Sequence, residues 1–292
     1  MGTNISNTIG ATQSGSCSAI ILAAGKGTRM RSDLPKVVHP VGGRAMVCAV
    51  VDACLDAGCS KVVVVVGYKQ ELVREALASY GSKVQFAVQG EQLGTGHAVQ
   101  SAVDNFVGER ATRGHDVFVL CGDGPLIRSE TLGKLLACHR AARATATLAT
   151  SVIDDPTGYG RIVRGADGRF VAIVEHKDCT PAQLAIREVN PSYYCFDVSL
   201  LFSALSRVGR NERSGEYYLT DVPKLLLADG ARVEVIDAVP PEDILSINTP
   251  EELSRVDGIY RARGRRAGGG VDQHQGGAGL SAPQTSSRHG NA

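Results

Sequence analysis

Five consecutive valines, Val62–Val66, constrain this chain more than any other stretch. A β-strand turns alternate side chains to opposite faces, so an unbroken apolar run buries both faces at once. Such a strand belongs in the middle of a parallel sheet with helices above and below it. The neighbouring segments agree. Ser18–Ala23 is a short apolar strand ending in Gly-rich residues, and Ala45–Ala57 sets Val47, Val50, Val51 and Cys54 on one helical face, with Asp52 and Asp56 off it. Gln70–Ser79 and Thr95–Asn105 read as helices, Lys83–Val88 and Asp116–Cys121 as strands. This alternation predicts an α/β fold, a Rossmann-like, doubly wound, mainly parallel mixed sheet with helices on both faces.

The second half is less regular. Strands are expected at Ala144–Val152, Gly160–Val163, Phe170–Val174 and Ser192–Phe196, and helices at Leu200–Ser206, Tyr218–Ala228 and Pro250–Arg261. No linker divides the halves, so residues 18–263 are expected to form one domain. Residues 1–17 and 264–292 hold too little apolar material to offset ordering entropy, and both tails are expected to be disordered.

A 292-residue chain buries enough surface to fold without disulfides or metal. Its 31 basic side chains against 30 acidic ones leave a net charge of +1. That balance makes no electrostatic case for nucleic acid or an anionic membrane, and phosphate chemistry would need a few locally placed cations. The eight cysteines form no CxxC pair, and most sit in apolar runs such as Val47-Cys48-Ala49-Val50, which reads as buried reduced thiols. The N-terminus shows no secretory pattern, and no apolar run approaches the roughly 18 residues of a membrane span. A cytoplasmic location is expected.

Three segments follow predicted strands directly, where open α/β sheets bind ligands. Leu22-Ala23-Ala24-Gly25-Lys26-Gly27-Thr28-Arg29-Met30 offers small residues whose backbone N–H groups form an anion-binding concavity, with Arg29 adding a cation. Asp33-Leu34-Pro35-Lys36 holds a second cation beside a rigid proline. A tight strand-to-helix turn with solvated charges accounts for the same residues, and the segment matches neither G-x-G-x-x-G nor the P-loop pattern. In the second segment, Gln89 carries an amide suited to a base edge, while Gly94 and Thr95 stand at a helix start; a capped helix explains them equally. His97 falls inside that helix and reads as structural. In the third, Cys121-Gly122-Asp123-Gly124-Pro125, Asp123 is a fitting magnesium ligand, or else a carboxylate accepting turn amides. Taken singly, Thr157–Arg161, Val174–Asp178, Glu188–Asn190, Gly215–Asp221 and Ile247–Pro250 look like turns, a solvated charge cluster and helix caps. Pro250 falls in the first turn of a helix.

In this order, LAAGKGTRM, DLPK, QLGTGHA, DDPTGYGRI, VEHKD and GEYYLTD resemble the uridyltransferase domain of bacterial N-acetylglucosamine-1-phosphate uridyltransferases, over roughly Ser18 to Arg263. The resemblance implies the nucleotide-diphospho-sugar transferase type of fold, with UTP and a sugar 1-phosphate as substrates and Mg2+ as cofactor. It implies that Leu22, Ala23, Ala24 and Gly25 contact the nucleotide, with Cys121 and Gly122 beside them. Gln89, Gly94 and Thr95 would hold uracil and ribose. Arg29 and Lys36 would be catalytic, neutralising the triphosphate, and Asp123 and Asn248 would bind magnesium. Gly160, Glu175, Asn190 and Asn248 would receive the sugar. Glucose 1-phosphate as acceptor, TTP as donor, or a non-catalytic sugar-nucleotide sensor are the alternatives. Pro191-Ser192 stands where this branch has Thr-Gly, Gly124 replaces an aliphatic residue, the loop beyond Gly160 carries one extra residue, and Ile247-Asn248-Thr249-Pro250 resembles hexose-1-phosphate relatives. Residues 264–292 show no hexapeptide repeat, so acetyl transfer is not expected, and no oligomeric state follows.

Overall fold

The computed structural model describes residues 16–111 and 113–268. Most of both predicted tails therefore lies outside the described residues. Cys17 opens the first strand, and residues 264–268 continue the last helix.

The strands, in chain order, are β1 (Cys17–Ala23), β2 (Pro40–Val41), β3 (Arg44–Ala45), β4 (Lys61–Val66), β5 (Val84–Val88), β6 (Asp116–Cys121), β7 (Ala146–Val152), β8 (Gly160–Arg164), β9 (Phe170–Val174), β10 (Glu188–Asp197) and β11 (Val233–Asp237). The main sheet runs β11-β7-β10-β6-β1-β4-β5, with β8 pairing β10 and β9. β5, β4, β1 and β6 are mutually parallel, whereas β10 runs antiparallel to β6, β7 and β8. β2 and β3 form a separate ribbon.

The valine run behaves as its pattern requires. Val62, Val64 and Val66 enter one core, while Val63 and Val65 enter another on the opposite face. All five are fully buried, each contributing about 1.5–3 kcal/mol relative to exposure. On the first face lie Val47, Val50, Val51 and Cys54 of helix Met46–Asp56, together with Leu132 and Leu135 of helix Ser129–Ala142. On the second lie Val99, Phe106, Leu201, Phe202 and Leu226. The predicted helix Gln70–Ser79 stops at Ala76 and gives way to 3-10 geometry, as Thr95–Asn105 does after Gln100.

All eight cysteines are free thiols; five are buried and Cys121, Cys138 and Cys179 are half-buried. Among the described residues, no helix is long and apolar enough to cross a membrane.

The parallel strands place their carboxyl ends on one edge. β1 and β6 are in register from Cys17–Asp116 to Leu22–Cys121, so whatever follows Leu22 meets whatever follows Cys121. The ladder of β10 is interrupted between Val189 and Tyr193. Pro191 has no N–H to give a ladder, and Ser192 sits at φ 66°, a left-handed conformation unusual for a residue with a Cβ. There β10 turns to β8 instead, with Asn190 opposite Gly160.

Candidate active site

The loop after β1 keeps its backbone open to a cleft and folds back on itself at Gly27. With φ 68°, Gly27 carries no Cβ, and one placed there would stand 2.6 Å from Lys36 Cβ. Glycine thus lets the Lys36 segment lie against the loop. Arg29 sits on the 3-10 turn Thr28–Met30, held down by buried Met30; Lys36 begins another, Lys36–Val38, anchored by buried Val37.

The second wall is the stretch between β5 and helix Thr95–Gln100. Gly94, at φ 102°, faces Tyr217 so closely that a Cβ would come within 2.6 Å of its carbonyl oxygen. Gly96 N donates to Tyr217 O at 2.8 Å, and Leu219 N donates to Thr95 Oγ1 at 3.1 Å, clamping the Tyr217–Leu219 stretch onto this helix start. Gln89 is buried, and its Nε2 donates to Gly94 O and contacts His97 Nδ1, both at 3.1 Å. An amide nitrogen only donates, so His97 accepts, and Gln89 is left with its Oε1 for a ligand. Of the amide suited to a base edge, only the acceptor end therefore remains. Gln92 Nε2 reaches across to Ala24 O at 2.9 Å and ties the two walls together.

Asp123 follows β6 by two residues. Between them Gly122 N donates to Leu22 O at 2.9 Å, continuing the β1–β6 pairing. Asn248 arrives from the far end of the chain. Thr249 and Glu252 form a reciprocal cap at the start of helix Pro250–Gly268, in which Glu252 Oε2 accepts from Thr249 N at 3.0 Å and Glu252 N donates to Thr249 Oγ1 at 3.2 Å. Glu252 Oε2 also accepts from Asn248 N at 2.6 Å, and Ile247 N donates to Asp123 O at 3.1 Å. Asn248 Oδ1 then accepts from Arg29 Nη2 at 2.9 Å and from Lys36 Nζ at 3.0 Å, while Lys36 Nζ is ion-paired with Asp123. Four residues expected to converge are joined in one chain of contacts.

On the other side, Glu175 Oε1 accepts from Thr220 Oγ1 at 3.1 Å. Burial pushes its carboxyl upward, which the Thr220 hydrogen bond and the nearby Lys177 ammonium partly offset. Asn190 is buried, donating to Tyr194 Oη at 2.6 Å and accepting from Ser192 N at 3.2 Å. Burial pushes the Cys121 thiol up to about 12, so it is a neutral wall group.

These residues line two adjoining clefts, of about 430 and 490 Å³. The first takes Leu22, Ala23, Ala24, Gly25, Lys36, Gln89, Gly94 and Thr95; the second takes Arg29, Gly160, Asn190 and Asn248. Cys121, Asp123 and Glu175 line both. Gly122 alone of the expected residues lines neither; a Cβ there would lie 3.0 Å from Leu22 O, so its smallness serves strand packing. Gln92, Lys177, Glu216 and Tyr218 also face the first cleft, and Tyr159, Ser192 and Arg255 the second. Sequence reasoning gave these no role, although Gln92, Lys177, Glu216, Tyr218 and Tyr159 lie inside its motifs.

Among the described residues, no cluster of three or more His, Cys, Asp or Glu could hold a metal alone. One carboxylate and one amide oxygen, Asp123 and Asn248, already converge on a cation, the Lys36 ammonium. That donor set suits Mg2+, which takes one or two protein oxygens and shares substrate phosphates.

Comparison with known proteins shows which family the chain resembles. A family model described as the MobA-like NTP transferase domain matches residues 19–208. The chain is 47% identical over 245 residues to the bifunctional protein GlmU of Exiguobacterium sp., covering 84% of this chain and 53% of that protein. Against GlmU of Geobacter metallireducens it is 45% identical over 252 residues, covering 85% and 51%. The chain thus spans about half the length of the curated relatives it matches. A solved structure of UDP-glucose pyrophosphorylase complexed with UDP-glucose aligns with a TM-score of 0.67 at 18% identity, over 85% of this chain and 99% of that one. That likeness speaks for the fold, the nucleotide-diphospho-sugar transferase fold. With the family model spanning β1 to the helix after β10, the chain belongs to the MobA-like NTP transferase domain family.

Proposed function

We propose that this chain transfers the uridylyl group of UTP to N-acetylglucosamine 1-phosphate, forming UDP-N-acetylglucosamine and pyrophosphate. The observation that carries the reading is the Arg29–Asn248–Lys36–Asp123 contact chain, set where the two clefts meet. A nucleotide in the first cleft and a sugar phosphate in the second bring their phosphates to that wall.

Leu22 to Gly25 approach the nucleotide through their backbone, and Gln89 Oε1 accepts from the uracil N3–H. Gly94 and Thr95 close around the ribose. Glu175, Asn190 and Gly160 receive the sugar. The sugar-phosphate oxygen attacks the α-phosphorus and pyrophosphate leaves in line. A phosphate monoester is ionised near neutral pH, so no general base is needed. Positioning and charge neutralisation by Arg29 and Lys36 supply most of the rate. Asp123 and Asn248 would hold magnesium, which would supply further neutralisation of phosphate charge. The eight free thiols favour a reducing compartment, the cytoplasm.

The test combines purified protein, UTP, N-acetylglucosamine 1-phosphate and Mg2+, scored by pyrophosphate release, with a chelator control. Parallel arms substitute TTP and glucose 1-phosphate. Release that needs the metal and favours the UTP and N-acetylglucosamine 1-phosphate pair is expected. Faster turnover of either substitute would reassign the substrate, and no turnover in any arm would overturn the transferase reading.

A further inference from the structure

The two oxygens assigned to magnesium already hold a cation. Asp123 Oδ2 pairs with the Lys36 ammonium, and Asn248 Oδ1 accepts from the same nitrogen at 3.0 Å. The Lys36 and Asp123 side chains keep only 17% and 18% of their exposure, so water screens the pair weakly. An ammonium is a compact point charge, and a carboxylate with an amide oxygen around such a charge is also what a hard divalent ion takes. Ion and ammonium thus compete for one pair of oxygens. The Lys36 backbone is pinned beside Gly27 and by buried Val37, but a lysine carries its charge on a flexible four-carbon stem, and this one already lines the nucleotide cleft.

We propose that Lys36 acts as an exchangeable cation: its ammonium holds Asp123 and Asn248 together, and an arriving divalent ion displaces it from Asp123 into the nucleotide cleft, toward the phosphates. Metal loading and delivery of the lysine to the nucleotide then become one event. The inference rests on the magnesium assignment of the proposed function.

The exchange is tested with Mn2+ alone as probe, without nucleotide, by counting free ion in electron paramagnetic resonance. Lys36→Met removes the competitor and is expected to tighten Mn2+ binding roughly tenfold or more, the order expected from removing one unit charge beside a divalent ion. Lys36→Gln, which keeps a polar end, should tighten it as well and guards against misfolding of the methionine variant. Of the two assigned oxygens, Arg29 reaches that of Asn248, at 2.9 Å, so Arg29→Met removes an equal charge from beside one of them and is expected to gain distinctly less. An affinity in both Lys36 variants no tighter than wild type, or an equal gain in Arg29→Met, overturns the exchange. Adding Asp123→Asn to Lys36→Met should abolish the gain. If that double variant binds Mn2+ as tightly as Lys36→Met, the ion sits elsewhere, and the magnesium assignment falls together with the inference.

Discussion

Lys36 and Asp123, 87 residues apart in the chain, are ion-paired on the wall shared by two clefts. The pairing follows from strand order. β1 and β6 are neighbours, Leu22 lies opposite Cys121, and Gly122 continues the ladder, so the loops leaving both strands meet. Asn248 joins them because a capped helix start fixes its backbone. The chemistry thus sits on rigid elements, where small misplacements are costly.

Arg29 reaches the shared wall from an exposed turn and supports no core contact of its own, so its removal should leave folding intact. Arg29→Ala is expected to lower kcat by roughly a hundredfold, about 3 kcal/mol of transition-state stabilisation. Steady-state kinetics with unchanged thermal unfolding would bear this out. Near-normal turnover would remove Arg29 from the phosphate site.

Gly94 has both a positive φ and a neighbour where its Cβ would go. Gly94→Ala should therefore destabilise the protein by about 1–3 kcal/mol, by forcing Tyr217 away and straining the backbone. The same shift opens the uracil wall, so KM for UTP should rise more than KM for the sugar phosphate. Differential scanning calorimetry with substrate kinetics checks both halves of the expectation.

Glu175 has a carboxyl raised by burial above its unfolded value. Its contribution to stability is then fullest below the unfolded value and is lost as pH rises through the folded one. Glu175→Gln keeps the Thr220 contact without the buried charge. It is expected to be more stable than wild type at neutral pH, with the advantage shrinking as pH falls through the acid range. KM for the sugar phosphate should rise roughly tenfold, the order of one charge-assisted hydrogen bond. Unfolding curves showing no gain at neutral pH, or a gain that does not shrink at acid pH, would contradict the burial argument.

Sequence and structure agree where the physics is local. Val62–Val66 and the strand Asp116–Cys121 are legible from apolar runs alone, and Pro250 marks its helix start. Helix Ser129–Ala142 escaped notice, although Leu132, Leu135 and His139 mark its buried face, because glycine and charged residues interrupt its apolar positions. β11 reads Val-Glu-Val-Ile-Asp beside β7, and its two carboxylates break up the apolar run that would have marked it. At the site, Asp123 was suggested by its place after a strand, whereas Asn248 entered only through family resemblance. Gln92 and Tyr218 lie inside the motifs, yet their roles could not be read there: each faces the cleft through contacts made by distant segments, Gln92 to Ala24 and the Tyr218 stretch to Thr95.

The central claim is that the wall joining the clefts carries the transfer, and Asp123 is its shared residue. The most direct measurement is a single-turnover assay following label from α-phosphate-labelled UTP into the sugar nucleotide, in wild type and Asp123→Ala, with UTP affinity measured separately. Label transfer is expected to slow at least roughly a hundredfold, with UTP still bound. Transfer at the wild-type rate by Asp123→Ala would contradict it.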